Sequence, residues 1–260
     1  MNKPISFQRM AQLGTRPPRY HDQTLRPLVS LIFVLPLMLA YELSGIWLGN
    51  AGRRSGIDQW IDQWIDQWLT GFGAGHFVIL PIVTAGMLLW WHHHRRDDWH
   101  VDPATPAKMA LESAGLGLIL FCAAKAFHIM ALTDAGPPTA AWPVIAATSS
   151  TDWWTPLLAS VGSGIHEELV FRLLLLMPLI HLLHKATANA RLAHVGGIVL
   201  VSVLFAASHY DLFNPGGVQF NVGSFVFRFL ASIIFSVLFL FRGFGIAVGT
   251  HVIYDILAQT

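Results

Sequence analysis

Apolar residues in this chain gather into seven long runs separated by short polar stretches: Pro27 to Leu48, His76 to Trp91, Lys108 to Leu132, Pro156 to Leu183, Leu192 to His209, Val222 to Phe241 and Phe244 to Ala258. Most are near the roughly 20 residues that a helix needs to cross the hydrocarbon core of a bilayer. The pattern predicts an all-α fold, a polytopic membrane bundle of about seven transmembrane helices, with any chemistry held inside the bundle. The chain divides into a cytoplasmic N-terminal segment (1–26), a first group of membrane helices with an interfacial insert (27–132) and a second group (133–260), folded together as one unit.

Composition agrees with a lipid environment. Of 260 residues, 54% are hydrophobic and only 12% charged, with a mean hydropathy of +0.53; soluble domains carry about 25% charged residues. A formal net charge of +1 gives no pull towards nucleic acid, whose binders cluster Lys and Arg. The sole cysteine, Cys122, excludes an intrachain disulfide and a Cys-based zinc site.

Basic residues set the orientation. Lys3, Arg9, Arg16, Arg19 and Arg26 precede the first run without the short apolar core of a cleaved signal peptide. Arg95, Arg96 and Lys108 precede the third, Lys185 and Arg191 follow the fourth, and Arg242 follows the sixth, whereas 133–154 and 210–221 hold no Lys or Arg. The positive-inside rule then puts the N-terminus in the cytoplasm of a plasma (inner) membrane protein, against the sign of Arg53 and Arg54.

Two segments carry pattern without chemistry. Residues 57–68 read IDQW three times, and a step of four residues lays Trp60, Trp64 and Trp68 along a slowly drifting stripe. This fits either an interfacial helix or a tandem duplication in an exterior loop. The run His92 to His100, with four His among Arg and Asp, reads as a solvated loop, with adventitious metal binding as the alternative.

Ionisable groups inside lipid cost roughly 2.5 to 3.5 kcal/mol each on insertion scales, so they mark function by default. In the fourth run Glu167 and Glu168 adjoin, with Arg172 four residues beyond Glu168. Residues four apart share a helix face, so Glu168 and Arg172 can pair and Glu167 turns elsewhere. The fifth run ends at His209, and the seventh carries His251 and Asp255, again four apart. Convergence of these groups from three helices satisfies polar side chains that would each be costly alone. Arg228, a few residues inside the sixth run, is expected to snorkel or pair, with facing the cavity as the alternative; Lys125, His128 and Glu42 sit near run ends. Gly245 and Gly249 suit a small-xxx-small contact that positions His251. Pro156 suits a first helical turn, with Thr155 as its cap.

The sequence Glu167-Glu168-Leu169-Val170-Phe171-Arg172 fits EExxxR, Phe205 to His209 fits FxxxH, and His251 to Asp255 fits HxxxN or HxxxD, in that order. In these motifs, over about its last hundred residues, the chain resembles the CAAX protease and bacteriocin-processing (CPBP, Abi) family, which includes type II CAAX prenyl endopeptidases. The resemblance implies an intramembrane endopeptidase. Glu167 would be the general base on a water, assisted by His209; His251 and Asp255 would face the oxyanion; Glu168 and Arg172 would hold the constellation. Asp255 stands where the best-understood members carry Asn. An ionised carboxylate would repel an oxyanion, so Asp255 either keeps a proton or orients His251.

Glu167, His209 and His251 are also zinc-ligand types, since three protein ligands and a water make an open catalytic site. No HExxH motif follows His166, because position 170 is Val170. Metal-independent chemistry is the favoured expectation, with no certain cofactor and a divalent metal such as zinc as the alternative. Expected partners are membrane lipid and a membrane-associated protein or peptide substrate, a prenylated tail being one candidate. Two readings compete: a proton- or cation-coupled transporter using the same buried groups, although no repeated halves are evident, and a non-catalytic membrane scaffold.

Overall fold

A computed structural model describes residues 19–48, 76–131, 154–210 and 219–259. The elements are α1 (Tyr20–Thr24), α2 (Pro27–Leu48), α3 (His76–Arg95), α4 (Ala104–Ala131), α5 (Trp154–Glu168), a π-helical segment (Leu169–Leu176), α6 (Met177–Thr187), α7 (Ala190–Ala207), α8 (Val222–Arg242) and α9 (Phe244–Ala258). Each of the seven apolar runs forms helix, the fourth as the continuous α5, π segment and α6. The IDQW repeat, Arg53 and Arg54 lie outside the described residues. Among the described residues, five segments are long and apolar enough to cross a membrane: Pro27–Ser44, Ala104–Phe127, Leu157–Thr187, Ala190–Ala207 and Val222–Arg242. The chain is an all-α integral membrane bundle.

Many outward-facing side chains are apolar, including Leu39, Leu111, Ile119, Val195, Leu204 and Phe241. Such a surface is a liability in water and suits lipid. The interior is built around α9, which packs against α2, α4, α5 and α8; from Phe244 to Val252 every residue is buried. At 15 residues, about 22 Å of helix, α9 is shorter than the spans around it. Its glycines permit that enclosure. A Cβ at Gly245 would stand 2.6 Å from Met109 Cε and 3.1 Å from Ser30 Cα, and one at Gly249 would stand 2.8 Å from Ser113 Cβ. Helices in lipid gain association energy from such close approach rather than from hydrophobic burial.

Termination is local and legible. Asn189 accepts from the Leu192 N–H at 3.1 Å and Asn221 from the Ser224 N–H at 3.0 Å, capping α7 and α8. Gly243 alone separates α8 from α9, with φ +91° and no room for a Cβ against the Thr24 carbonyl; only glycine serves there. Beside this turn, Glu112 of α4 takes a bidentate pair from Arg242 at 2.6 Å and the Tyr20 hydroxyl at 2.7 Å. Burial and the Glu112 carboxylate push the Tyr20 phenol above its ordinary range, so it stays a donor.

Two expectations need correction. The histidine run is not a solvated loop throughout: His92 falls in the last turn of α3, fully buried, with its ring edge-on to Trp99 at 4.6 Å. Helix α5 begins at Trp154, so Pro156 lies in its first turn while Thr155 lies inside the helix rather than at the cap.

Candidate active site

The six ionisable residues predicted from the sequence come together. Glu167 and Glu168 end α5, Arg172 lies in the π segment, His209 follows α7, and His251 and Asp255 lie in α9. Pro178, near the start of α6, lacks the N–H that an α-helix would spend on the preceding turn. The wider π turns ahead of it carry Arg172, and single π turns recur at functional sites.

The innermost part is an ion pair. Arg172 Nη1 stands 3.0 Å from Glu168 Oε1, and both side chains are fully buried. Arg172 Nη2 donates to the Ser232 carbonyl at 3.3 Å and to Ser232 Oγ at 3.2 Å. Its guanidinium carbon lies 4.8 Å from the Phe205 ring centroid and 5.4 Å from that of Phe235. An arginine held between two rings in a dry site gains cation–π attraction that a lysine would match less well.

Glu168 also fixes His251. Nδ1–H of His251 donates to Glu168 Oε1 at 2.8 Å, and the imidazole stacks on Phe235 with centroids 4.4 Å apart and planes at 17°. On His209, Nδ1 lies 2.7 Å from the Phe205 carbonyl. A carbonyl only accepts, so Nδ1 carries the proton, and Nε2 is left to the site. Both Nε2 atoms face one oxygen: Glu167 Oε2 is 3.8 Å from His209 Nε2 and 3.7 Å from His251 Nε2. Glu167 Oε1 accepts from Ser163 Oγ at 2.8 Å, which leaves Oε2 to the shared space.

Separations of 3.7 to 3.8 Å are too long for direct hydrogen bonds and suit groups bridged by water. Asp255 Oδ2 lies 3.7 Å from His251 Nε2. Asp255 therefore borders the reactive face of His251, and Glu168, not Asp255, is the carboxylate at Nδ1. Of the two roles open to Asp255, orienting His251 through Nδ1 is the one the geometry does not provide.

The donor set has zinc-binding chemistry, two imidazole nitrogens whose opposite nitrogens are held by acceptors plus one carboxylate. In a tetrahedral zinc site, ligands about 2.0 to 2.1 Å from the ion stand roughly 3.4 Å apart, closer than these. Among the described residues no group of three His, Cys, Asp or Glu is arranged to hold an ion.

Several neighbours escaped the sequence reading. Ser163 sits four residues before Glu167, the same spacing that paired Glu168 with Arg172, so it was findable; Ser232 and the rings of Phe205 and Phe235 gave no signal. Arg228 pairs rather than snorkels. It is buried and donates to the Tyr210 hydroxyl at 3.1 Å and to Ser224 Oγ, tying the residue after His209 to α8. Lys125 stays peripheral, 5.0 Å from the Phe121 ring.

Comparison with known proteins bears on the same region. Residues 149–257 match the family described as type II CAAX prenyl endopeptidase, Rce1-like. No curated protein and no solved structure matches the chain. The matched stretch contains α5 to nearly the end of α9, and with it all six converging residues. Over residues 149–257 the chain is thus similar to the Rce1-like type II CAAX prenyl endopeptidases, a match that supports the CAAX protease and bacteriocin-processing family and, in broad class, an intramembrane protease.

Proposed function

We propose that this protein hydrolyses a peptide bond in a membrane-associated protein or peptide, with Glu167 as general base on a water held between Glu167, His209 and His251. The observation that carries the reading is the convergence of two imidazole Nε2 atoms on Glu167 Oε2. Glu167 takes a proton from the water, and the water oxygen bonds to the scissile carbonyl carbon, giving a tetrahedral oxyanion. A preorganised donor beside that charge is commonly the largest catalytic contribution. His251 supplies one when Nε2 carries a proton, with Glu168 accepting from its Nδ1–H and countering the imidazolium charge. The proton on Glu167 then passes to the departing nitrogen, directly or through His209, the C–N bond breaks, and a carboxylate and an amine leave.

Glu168 and Arg172 position His251 and touch neither water nor substrate. Asp255, beside the same Nε2, contributes to the oxyanion pocket as a protonated acid donor. The N-terminus lies in the cytoplasm, on the strength of the basic segments. The reaction is written without a metal; metal content after purification, with activity before and after chelation, tests that choice.

The deciding experiment uses purified protein in liposomes. Glu167→Ala and His209→Ala are expected to abolish cleavage while each variant inserts and melts like the parent. Proteolysis retained in both would end the mechanism. Ion flux that depends on Glu167, without peptide cleavage, would favour a transporter instead.

A further inference from the structure

Among the described site residues, the more exposed side chains lie towards one end of the bundle. His209 completes an inward row with Ala193, Gly197, Val201 and Phe205, all buried and spaced by four. The apolar side chains facing lipid on α7, such as Val195, Val199 and Leu204, lie on another face. Yet the His209 side chain is 23% exposed, as is 21% of that of Asp255, while His251 shows 5% and Glu168 and Arg172 none. Exposure among these side chains therefore rises towards the ends of α7 and α9.

The other direction is sealed. Towards the start of α9, Phe244, Ala247 and Val248 belong to one buried apolar cluster with Phe239, Leu169 and Leu176. At the rim, Gly243 is pressed against Thr24, and Glu112 ties Arg242 to Tyr20.

The sealed rim is the basic one. Arg19, Arg26, Arg95, Arg96, Lys108, Lys185, Arg191 and Arg242 belong to helix ends on that side. Arg26 donates to the His100 carbonyl at 3.3 Å and Arg95 to the Leu25 carbonyl at 3.2 Å, so these ends meet in space. The sequence stretches 132–153 and 211–218, which join the other helix ends along the chain, contain no Lys or Arg; against this, 49–75 holds Arg53 and Arg54, and Lys125 lies towards that end of α4. Short loops rich in Lys and Arg stay in the cytoplasm.

We infer that the catalytic crevice opens to the non-cytoplasmic side, so that its substrate is a translocated or outer-leaflet-anchored polypeptide, not a prenylated tail presented from the cytoplasm. This rests on the protease reading above for the word substrate, and on the geometry for the side. A chain approaching from that side meets Asp255 and His209 before it reaches Glu167.

Thiol labelling tests the side without requiring cleavage. In a Cys122→Ser background, Ser208→Cys places a thiol at the mouth of the crevice and Ala186→Cys places one at the basic rim. Right-side-out membrane vesicles treated with a membrane-impermeant maleimide should label Ser208→Cys and spare Ala186→Cys, and inside-out vesicles should do the reverse. Labelling of Ser208→Cys only in inside-out vesicles, or from neither side, would overturn the inference. The protease reading is tested separately in detergent, where both faces are open: loss of cleavage there would remove the enzyme and leave the labelling pattern standing.

Discussion

Removing Arg172 should damage this protein more than removing Arg172 and Glu168 together. The pair is fully buried at 3.0 Å, in a part of the bundle where neither charge reaches solvent. Breaking a buried pair by deleting one partner typically costs 3 to 5 kcal/mol, because the survivor is left uncompensated, whereas an apolar replacement of both is often near neutral. Arg172→Met would leave the Glu168 carboxylate with His251 Nδ1–H as its remaining partner; Glu168 Oε2 already lacks a hydrogen-bond partner among the described residues. It would also lose the guanidinium's contacts with two aromatic rings, worth roughly 0.5 to 2 kcal/mol each. The double variant Arg172→Met with Glu168→Gln removes both charges and keeps a carbonyl acceptor for His251. The coupling between the two positions, read from a double-mutant cycle, should be on the order of 2 to 3 kcal/mol in favour of the double variant. Melting and denaturant unfolding of the four proteins in one detergent supply the cycle. Single and double variants of equal stability, or a single variant within about 0.5 kcal/mol of the parent, would refute the argument that this ion pair is buried and mutually dependent.

Four further outcomes follow from the same geometry. Glu167→Gln should lower kcat by roughly 10²- to 10⁴-fold, the range for loss of a general base, with an unchanged melting temperature. Asp255→Ala should cost roughly 10²-fold in kcat, as loss of an oxyanion donor does, whereas Asp255→Asn, which keeps a donor in place, should stay within about tenfold of the parent on the same scale; steady-state cleavage distinguishes them. Gly245→Val should destabilise by about 1 to 3 kcal/mol, the usual cost of overpacking, because Ser30 backbone stands where its side chain must go, and thermal melting reads the loss. Glu112→Gln should cost no more than about 1 kcal/mol, since the Arg242 pair is partly open to solvent, and should leave kcat unchanged in the same cleavage assay.

The sequence carried the span pattern well because burial in lipid requires long apolar helices, and few other structures leave that trace. It also marked the six residues that converge, since charges within such helices stand out and a spacing of four assigns faces. What it did not carry depends on neighbours distant in the chain. Ser232 meets Arg172 only because α8 crosses the π segment, and Glu112 meets Arg242 across a separation of 130 residues. The buried His92 was hidden by its polar surroundings, which read as solvated until Trp99 folded over it. The π segment was equally silent: Pro178 signals a disturbed helix, but not whether the chain kinks or widens. Asp255 illustrates the limit at the site itself. Its spacing of four from His251 was correct, but which imidazole nitrogen it faces was decided by Glu168 arriving from another helix.

The account's central claim, that a water activated by Glu167 attacks the scissile carbonyl, is tested most directly by a single turnover in water enriched in oxygen-18. Mass spectrometry of the products and of the enzyme should find one labelled oxygen in the newly formed carboxylate and none in Glu167. Label in the Glu167 side chain, with an unlabelled product carboxylate, would mean that the glutamate itself attacked and would contradict the account.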